Sequence, residues 1–253
     1  MPRLQLSVLS LRYSSWSIRA WLALEAVGAE FSVETARLEK MDRQQREVRS
    51  GKVTADLHAD ELASRRRKGS VTGLFPVLWI DDRPVHESMA ILEWIAEAFP
   101  DAGLWPEDPL KRAQARGVCL EMATGFPRIR GELSCHVFAR VPDYEPSPET
   151  RVEIGRIFEI WRDLLECHGG PFLGGAFGNL DCMFFPVITR FRTYDIGLPP
   201  ELEEYALRVE LSDPVRAWRE VARRAPALPV YDEYIRSLDG DPEAALGHDR
   251  QEG

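Results

Sequence analysis

Hydroxyls and carboxylates stand directly in front of two apolar runs, and through these residues the 253-residue chain could do chemistry. Ser14 and Ser15 precede the run 16–27, and Glu87 with Ser88 precedes a run carrying Ile91, Leu92 and Ile95. If those runs are helices, each pair sits where unpaired backbone N–H groups and the positive end of the macrodipole can hold an anionic group. Ordinary capping by serine produces the same pattern, so spacing alone leaves both uses open. Phe75-Pro76 stands ahead of an apolar stretch. A proline starting a strand beside a site can be used in cis, turning the preceding N–H and C=O outward to pair with an extended peptide. Cys119, Cys135, Cys167 and Cys182 form no Cys-x-x-Cys, and none of His58, His86, His136, His168 and His248 has a partner at metal-ligand spacing. The cysteines read as reduced thiols of a cytoplasmic protein, and no metal is expected.

The surrounding sequence supplies the elements that would hold these groups. Leu4, Leu6 and Val8 alternate with Gln5 and Ser7, the period of a strand, and 16–27 is apolar on almost every side before Gly28, a common helix terminator. Residues 31–35 read as a second strand, so the opening is the strand, helix, strand of a right-handed crossover onto a parallel sheet. Residues 76–80 and 84–86 flank Asp81-Asp82 as a hairpin, and 88–99 places Ile91, Leu92, Ile95 and Phe99 on one helical face. The polar stretch 39–70 carries acids at Asp56, Asp60 and Glu61 and then bases at Arg65, Arg66, Arg67 and Lys68, an order that suits a helix macrodipole. Its basic run reads as a solvated helix end, with an anion site as the less favoured alternative.

Residues 1–100 therefore form one domain, 101–109 an aperiodic linker and 110–228 an all-helical domain. Ser147-Pro148-Glu149 caps a helix whose buried stripe is read as Ile154, Phe158, Trp161 and Leu165. The acidic residues 229–253 read as a tail, docked weakly or disordered. The formal charge of −9 repels phosphate backbones and anionic lipid, which argues against nucleic acid and membrane partners. No apolar run is long enough to span a bilayer, and nothing near Met1 reads as an export signal.

Three groups of residues, in order, resemble the glutathione-transferase family. They are the turn Tyr13-Ser14-Ser15-Trp16-Ser17-Ile18-Arg19, similar to the serine-type turn of the zeta-like branch, and the run Thr72-Gly73-Leu74-Phe75-Pro76-Val77-Leu78 with Glu87-Ser88 following; the third is Phe172-Leu173-Gly174-Gly175 with Asp181 and 186–194. Together they span roughly residues 4 to 224. The resemblance implies an α/β thioredoxin-like N-terminal domain plus an all-α C-terminal domain, glutathione as cosubstrate, and a two-fold homodimer. It implies that Ser14 or Ser15 activates the glutathione thiol, while Phe75, Pro76, Glu87 and Ser88 bind the peptide. The partner substrate would be an electrophilic, mostly apolar small molecule, and the reaction conjugation, thiolytic cleavage or isomerisation, in detoxification or specialised metabolism. A glutathione-transferase-like scaffold without catalysis is the competing reading. The chain departs from the pattern at Trp16, where the zeta-like branch has a cysteine, at Phe75, where valine is usual, and at Gly178, where a capping serine is usual. The 39–70 segment is longer than in most relatives and is expected to shape the second-substrate pocket.

Overall fold

The computed structural model describes residues 2–36 and 59–246. Strand β1 (Leu4–Val8) lies inside a four-stranded sheet of order β2-β1-β3-β4, with β2 at Phe31–Thr35, β3 at Val77–Ile80 and β4 at Arg83–His86. β1 and β2 are parallel, with Leu6 opposite Val33, and β1 and β3 are antiparallel, with Leu6 opposite Leu78. The alternation that marks β1 as a strand buries Leu4, Leu6 and Val8 against helix α1 (Ser15–Ala26).

α1 is apolar on most sides because it serves both halves of the molecule. It packs on the sheet, on α3 (Ser88–Ala98), and on two helices of the second domain, α7 (Asn179–Thr193) and α9 (Asp213–Arg224). Ile18, Ala20, Leu22, Ala23 and Leu24 are wholly excluded from solvent, and one continuous apolar core runs through both domains. Between β2 and β3 lies α2 (Ala59–Arg67). Its arginine-rich end includes Arg65, which donates to the Gly73 carbonyl at 2.8 Å, while Arg66 and Arg67 are exposed. The remainder of the segment read as a pocket-shaping loop, residues 39–58, lies outside the described residues.

The second domain adds α4 (Pro109–Thr124), α5 (Pro127–Glu132), α6 (Pro148–His168), α7, α8 (Pro200–Glu210), α9 and α10 (Pro229–Arg236). The stripe of α6 is rotated from the sequence reading. Ile154, Ile157, Ile160, Trp161 and Leu164 are buried, whereas Phe158 and Leu165 are half-buried at its edge. Residues 101–109 are pinned, with Leu104 and Trp105 buried and the Leu104 carbonyl accepting from Asn179 N–H at 3.0 Å. The same carbonyl explains Gly178, whose φ of −162° any residue adopts: a Cβ there would lie 2.7 Å from Leu104 O. Asp181, fully buried, takes over the capping, accepting from Gly178 N–H at 2.9 Å, Leu173 N–H at 3.1 Å and Tyr205 O–H at 3.2 Å.

The expectation of a weakly docked tail is corrected for residues 229–246. Pro229 starts α10, which buries Asp232 and Ile235, and the chain beyond it bridges Arg140 with Asp241 and bonds Ala245 N–H to the Phe138 carbonyl at 2.9 Å. Among the described residues no helix is long and apolar enough to cross a membrane.

Candidate functional site

Ser14 is the N-cap of α1, in extended backbone geometry, and is 9% exposed. Its Oγ accepts from the Ser17 N–H at 3.4 Å and from the Ser17 hydroxyl at 3.0 Å. Ser17 Oγ in turn accepts from Leu9 N–H at 3.3 Å. Donation therefore runs from the β1 end through Ser17 to Ser14, and each link polarises the next. Ser14 keeps its own O–H to give to a ligand atom, because both of these bonds use its lone pairs. Ser15 is the half-buried first residue of α1. Ser17, fully buried, was not assigned a role by sequence; its place three residues after an N-cap serine was the available signal.

β3 and β4 bring the second helix start to the same place. Val77 lies opposite Ser7 of β1 and His86 of β4, so Pro76, Leu9 and Glu87 leave the sheet at one end. There Ser88 Oγ donates to the Trp16 carbonyl at 3.4 Å, joining the first turns of α3 and α1. Glu87 is the N-cap of α3, exposed, with no side-chain cap bond and with φ 72° and ψ 124°, a backbone conformation costly for any residue with a Cβ. Glu87 is accessible, whereas Ser88 is buried at 4% exposure. The turn before β3 has Gly73 at φ 82°, a cis Phe75–Pro76 bond, and Phe75 buried with Ala36 and Val77. Thus the structure draws Ser14, Ser15, Glu87, Ser88, Phe75 and Pro76 to one end of the sheet.

Two guanidiniums approach the Trp16 ring, Arg19 of α1 at 4.3 Å and Arg130 of the helical domain at 5.2 Å. Burial and the neighbouring Arg190 bring Arg130 down to about 10, and burial likewise lowers Arg19, whose Nε donates to Met183 O at 2.8 Å. Tyr13, next to Ser14, is excluded as an activating hydroxyl: burial raises its pKa, and its O–H is donated to Asp232 at 2.9 Å. Burial of Cys119 and Cys182 likewise raises both thiols, and the one exposed cysteine, Cys167, is in the second domain at the end of α6.

Fold and site define a class of two-domain proteins in which a mixed sheet brings two helix starts together against an all-helical partner domain. Residues 13–98 match the family described as "Glutathione S-transferase, N-terminal domain" and residues 146–221 that described as "Glutathione S-transferase, C-terminal domain". The chain belongs to the glutathione S-transferase family. It is 32% identical over 112 residues to a Caenorhabditis elegans protein named as a probable maleylacetoacetate isomerase, a match covering 44% of this chain and 42% of that one. The matched stretch is thus less than half of that relative. Maleylacetoacetate isomerase of Rattus norvegicus is 25% identical over 187 residues, 74% of this chain and 77% of that one. Among solved structures, a glutathione transferase homolog from Burkholderia GL BGR1, with bound glutathione, superposes with a TM-score of 0.64 at 18% identity, covering 88% of this chain and 99% of that one.

Proposed function

We propose that this protein is an enzyme that binds reduced glutathione, activates its thiol at Ser14 and directs the thiolate at an electrophilic carbon of a small molecule held against the helical domain. The observation that carries this reading is the Leu9, Ser17, Ser14 relay at the start of α1, which leaves one hydroxyl proton for the sulfur. A free thiol titrates near 8.5, and a hydroxyl donor at a helix N-terminus favours the thiolate. The exposed Glu87 carboxylate suits the ligand's ammonium, the free N–H groups at the start of α3 its γ-glutamyl carboxylate, and the Phe75–Pro76 segment its peptide. Ser15, one residue further on, is the second candidate for the thiol contact. Bound glutathione in the Burkholderia homolog supports the cosubstrate, and the isomerases among the relatives support isomerisation among the three reactions, conjugation, thiolytic cleavage and isomerisation, that share this first step. The family likeness also supports a homodimer and, with four free cysteines, a cytoplasmic location.

The test is an ultraviolet titration of the bound thiol together with turnover over a panel of electrophiles. Ser14→Ala removes one charge-assisted bond of about 1.5–3 kcal/mol and should slow turnover roughly ten- to a hundred-fold while raising the thiol pKa. Ser17→Ala should move both in the same direction by less. Replacing all four cysteines by alanine should leave the thiol titration where it is. Full activity and an unchanged titration in Ser14→Ala, Ser15→Ala and their double variant would refute the serine assignment.

A further inference from the structure

Residues 10–14, the turn that presents Ser14, are enclosed by parts of the chain more than 200 positions away. Trp218 Nε1–H donates to the Leu11 carbonyl at 3.1 Å, and the buried Arg12 reaches the Pro242 carbonyl at 3.4 Å. Tyr13 is held most firmly. Its O–H donates to Asp232 Oδ1 at 2.9 Å and accepts from Leu228 N–H at 3.2 Å, and its ring is stacked on Tyr231 at 4.8 Å. His136, edge-on to the same ring at 4.8 Å, meets the same Asp232 oxygen through Nε2 at 2.8 Å. Tyr13 is 3%, Asp232 6% and His136 0% exposed. A carboxylate buried to this extent needs donors, and Tyr13 and His136 supply them. Residues 228–246 all lie after the segment that matches the family, which ends at 221.

Given the thiol activation proposed above, on which this inference rests, we propose that Asp232 is a positioning residue: through Tyr13 it holds the backbone that presents Ser14 to the sulfur. Tyr13 adjoins Ser14 directly, so fixing the ring on its far side constrains the φ of −96° and ψ of 97° at which Ser14 caps α1. The turn's other backbone bonds are Arg12 N–H and Tyr13 N–H to Ser10 Oγ at 3.1 and 3.3 Å, Ser14 N–H to Ser10 O at 3.3 Å, and the Trp218 bond to the Leu11 carbonyl. Without Asp232 those bonds persist, so the turn loosens while α1 stays folded. A loosened Ser14 misaligns its O–H with the sulfur, whereas binding of the γ-glutamyl end at α3 is untouched. The loss therefore falls on kcat and on the thiol titration, and not on the glutathione KM.

Asp232→Ala should raise the pKa of the bound thiol by about one unit and lower kcat about ten-fold, with the glutathione KM within about two-fold. Asp232→Asn, which keeps an oxygen for the Tyr13 O–H, should recover most of both. Tyr13→Phe combined with Asp232→Ala should be no slower than the slower single variant, because one bond carries both effects. Val209→Ala, a buried truncation in α8, supplies a variant of lowered melting temperature that should leave the thiol titration alone. The proposal is overturned if Asp232→Ala keeps the wild-type titration and kcat, if Val209→Ala shifts the titration as far, or if the Tyr13 and Asp232 effects multiply. Should the wild-type protein itself leave the glutathione thiol unshifted, the thiol-activation reading fails. Amide exchange then decides the clamp separately: faster exchange at Ser14, Ser17 and Ile18 in Asp232→Ala supports it, and unchanged exchange overturns it.

Discussion

Replacing Glu87 by glycine should make the protein more stable while weakening glutathione binding. At φ 72° and ψ 124° Glu87 occupies backbone space that a Cβ disfavours, with no side-chain cap bond to offset it. Such strain costs about 1–3 kcal/mol. Glycine removes it but brings a conformational cost of about 0.5–1 kcal/mol in the unfolded chain. The expected net gain is about 1 kcal/mol, a rise of roughly 2–4 °C in melting temperature for a chain of this size. The same substitution deletes the carboxylate that suits the ligand's ammonium, a charge-assisted bond of about 1.5–3 kcal/mol, so Kd should rise roughly ten- to a hundred-fold. Glu87→Ala separates the two effects, because alanine loses the carboxylate and keeps the Cβ. Calorimetry should find both variants similarly weak for glutathione, and thermal unfolding should find only the glycine variant stabilised. Equal melting temperatures for Glu87→Gly and Glu87→Ala would refute the strain argument, and wild-type affinity in both would refute the role of the carboxylate.

Gly178→Ala should lower stability by about 1–3 kcal/mol, measured by denaturant unfolding, because the new Cβ meets the Leu104 carbonyl at 2.7 Å and the pinned linker must shift. A second expectation concerns acid. Burial brings His136 down to about 4 from an ordinary 6.5, so between those values the unfolded chain binds the proton and the folded chain does not. His136 therefore contributes stability that is present above pH 6.5 and lost as pH falls toward 4, by up to ~3 kcal/mol in all. Asp181, raised by burial to about 7, acts oppositely over pH 4 to 7, so the His136 part is read as the difference between wild type and His136→Gln. A difference that stays flat between pH 6.5 and 4 would show that His136 titrates normally in the folded protein.

What the sequence determined by itself is what neighbours along the chain decide. The alternation of Leu4, Leu6 and Val8, the apolar run behind Ser14 and Ser15, and the turn residues around Asp81 specify strand, helix and hairpin through contacts a few residues apart. Those elements alone fit several folds, and the family was indicated by three groups of residues in order, 13–19, 72–78 with Glu87-Ser88, and 172–175 with Asp181 and 186–194. Tertiary structure decided which groups meet. Tyr13 and Asp232 are 219 positions apart, and no periodicity links them. The tail carried a local signal, Pro229 followed by Tyr231, Tyr234 and Ile235 at helical spacing, but its polarity masked a helix whose stability comes from the surface it covers. Gly178 resembles a weakened cap until the Leu104 carbonyl lies beside it. The backbone of Glu87 is held at positive φ by the junction of β4 and α3, whereas the residue's own preference is for negative φ. Local sequence sets the elements because their hydrogen bonds close over short loops. The site is set by packing between distant segments, whose partners exist only once the chain has folded.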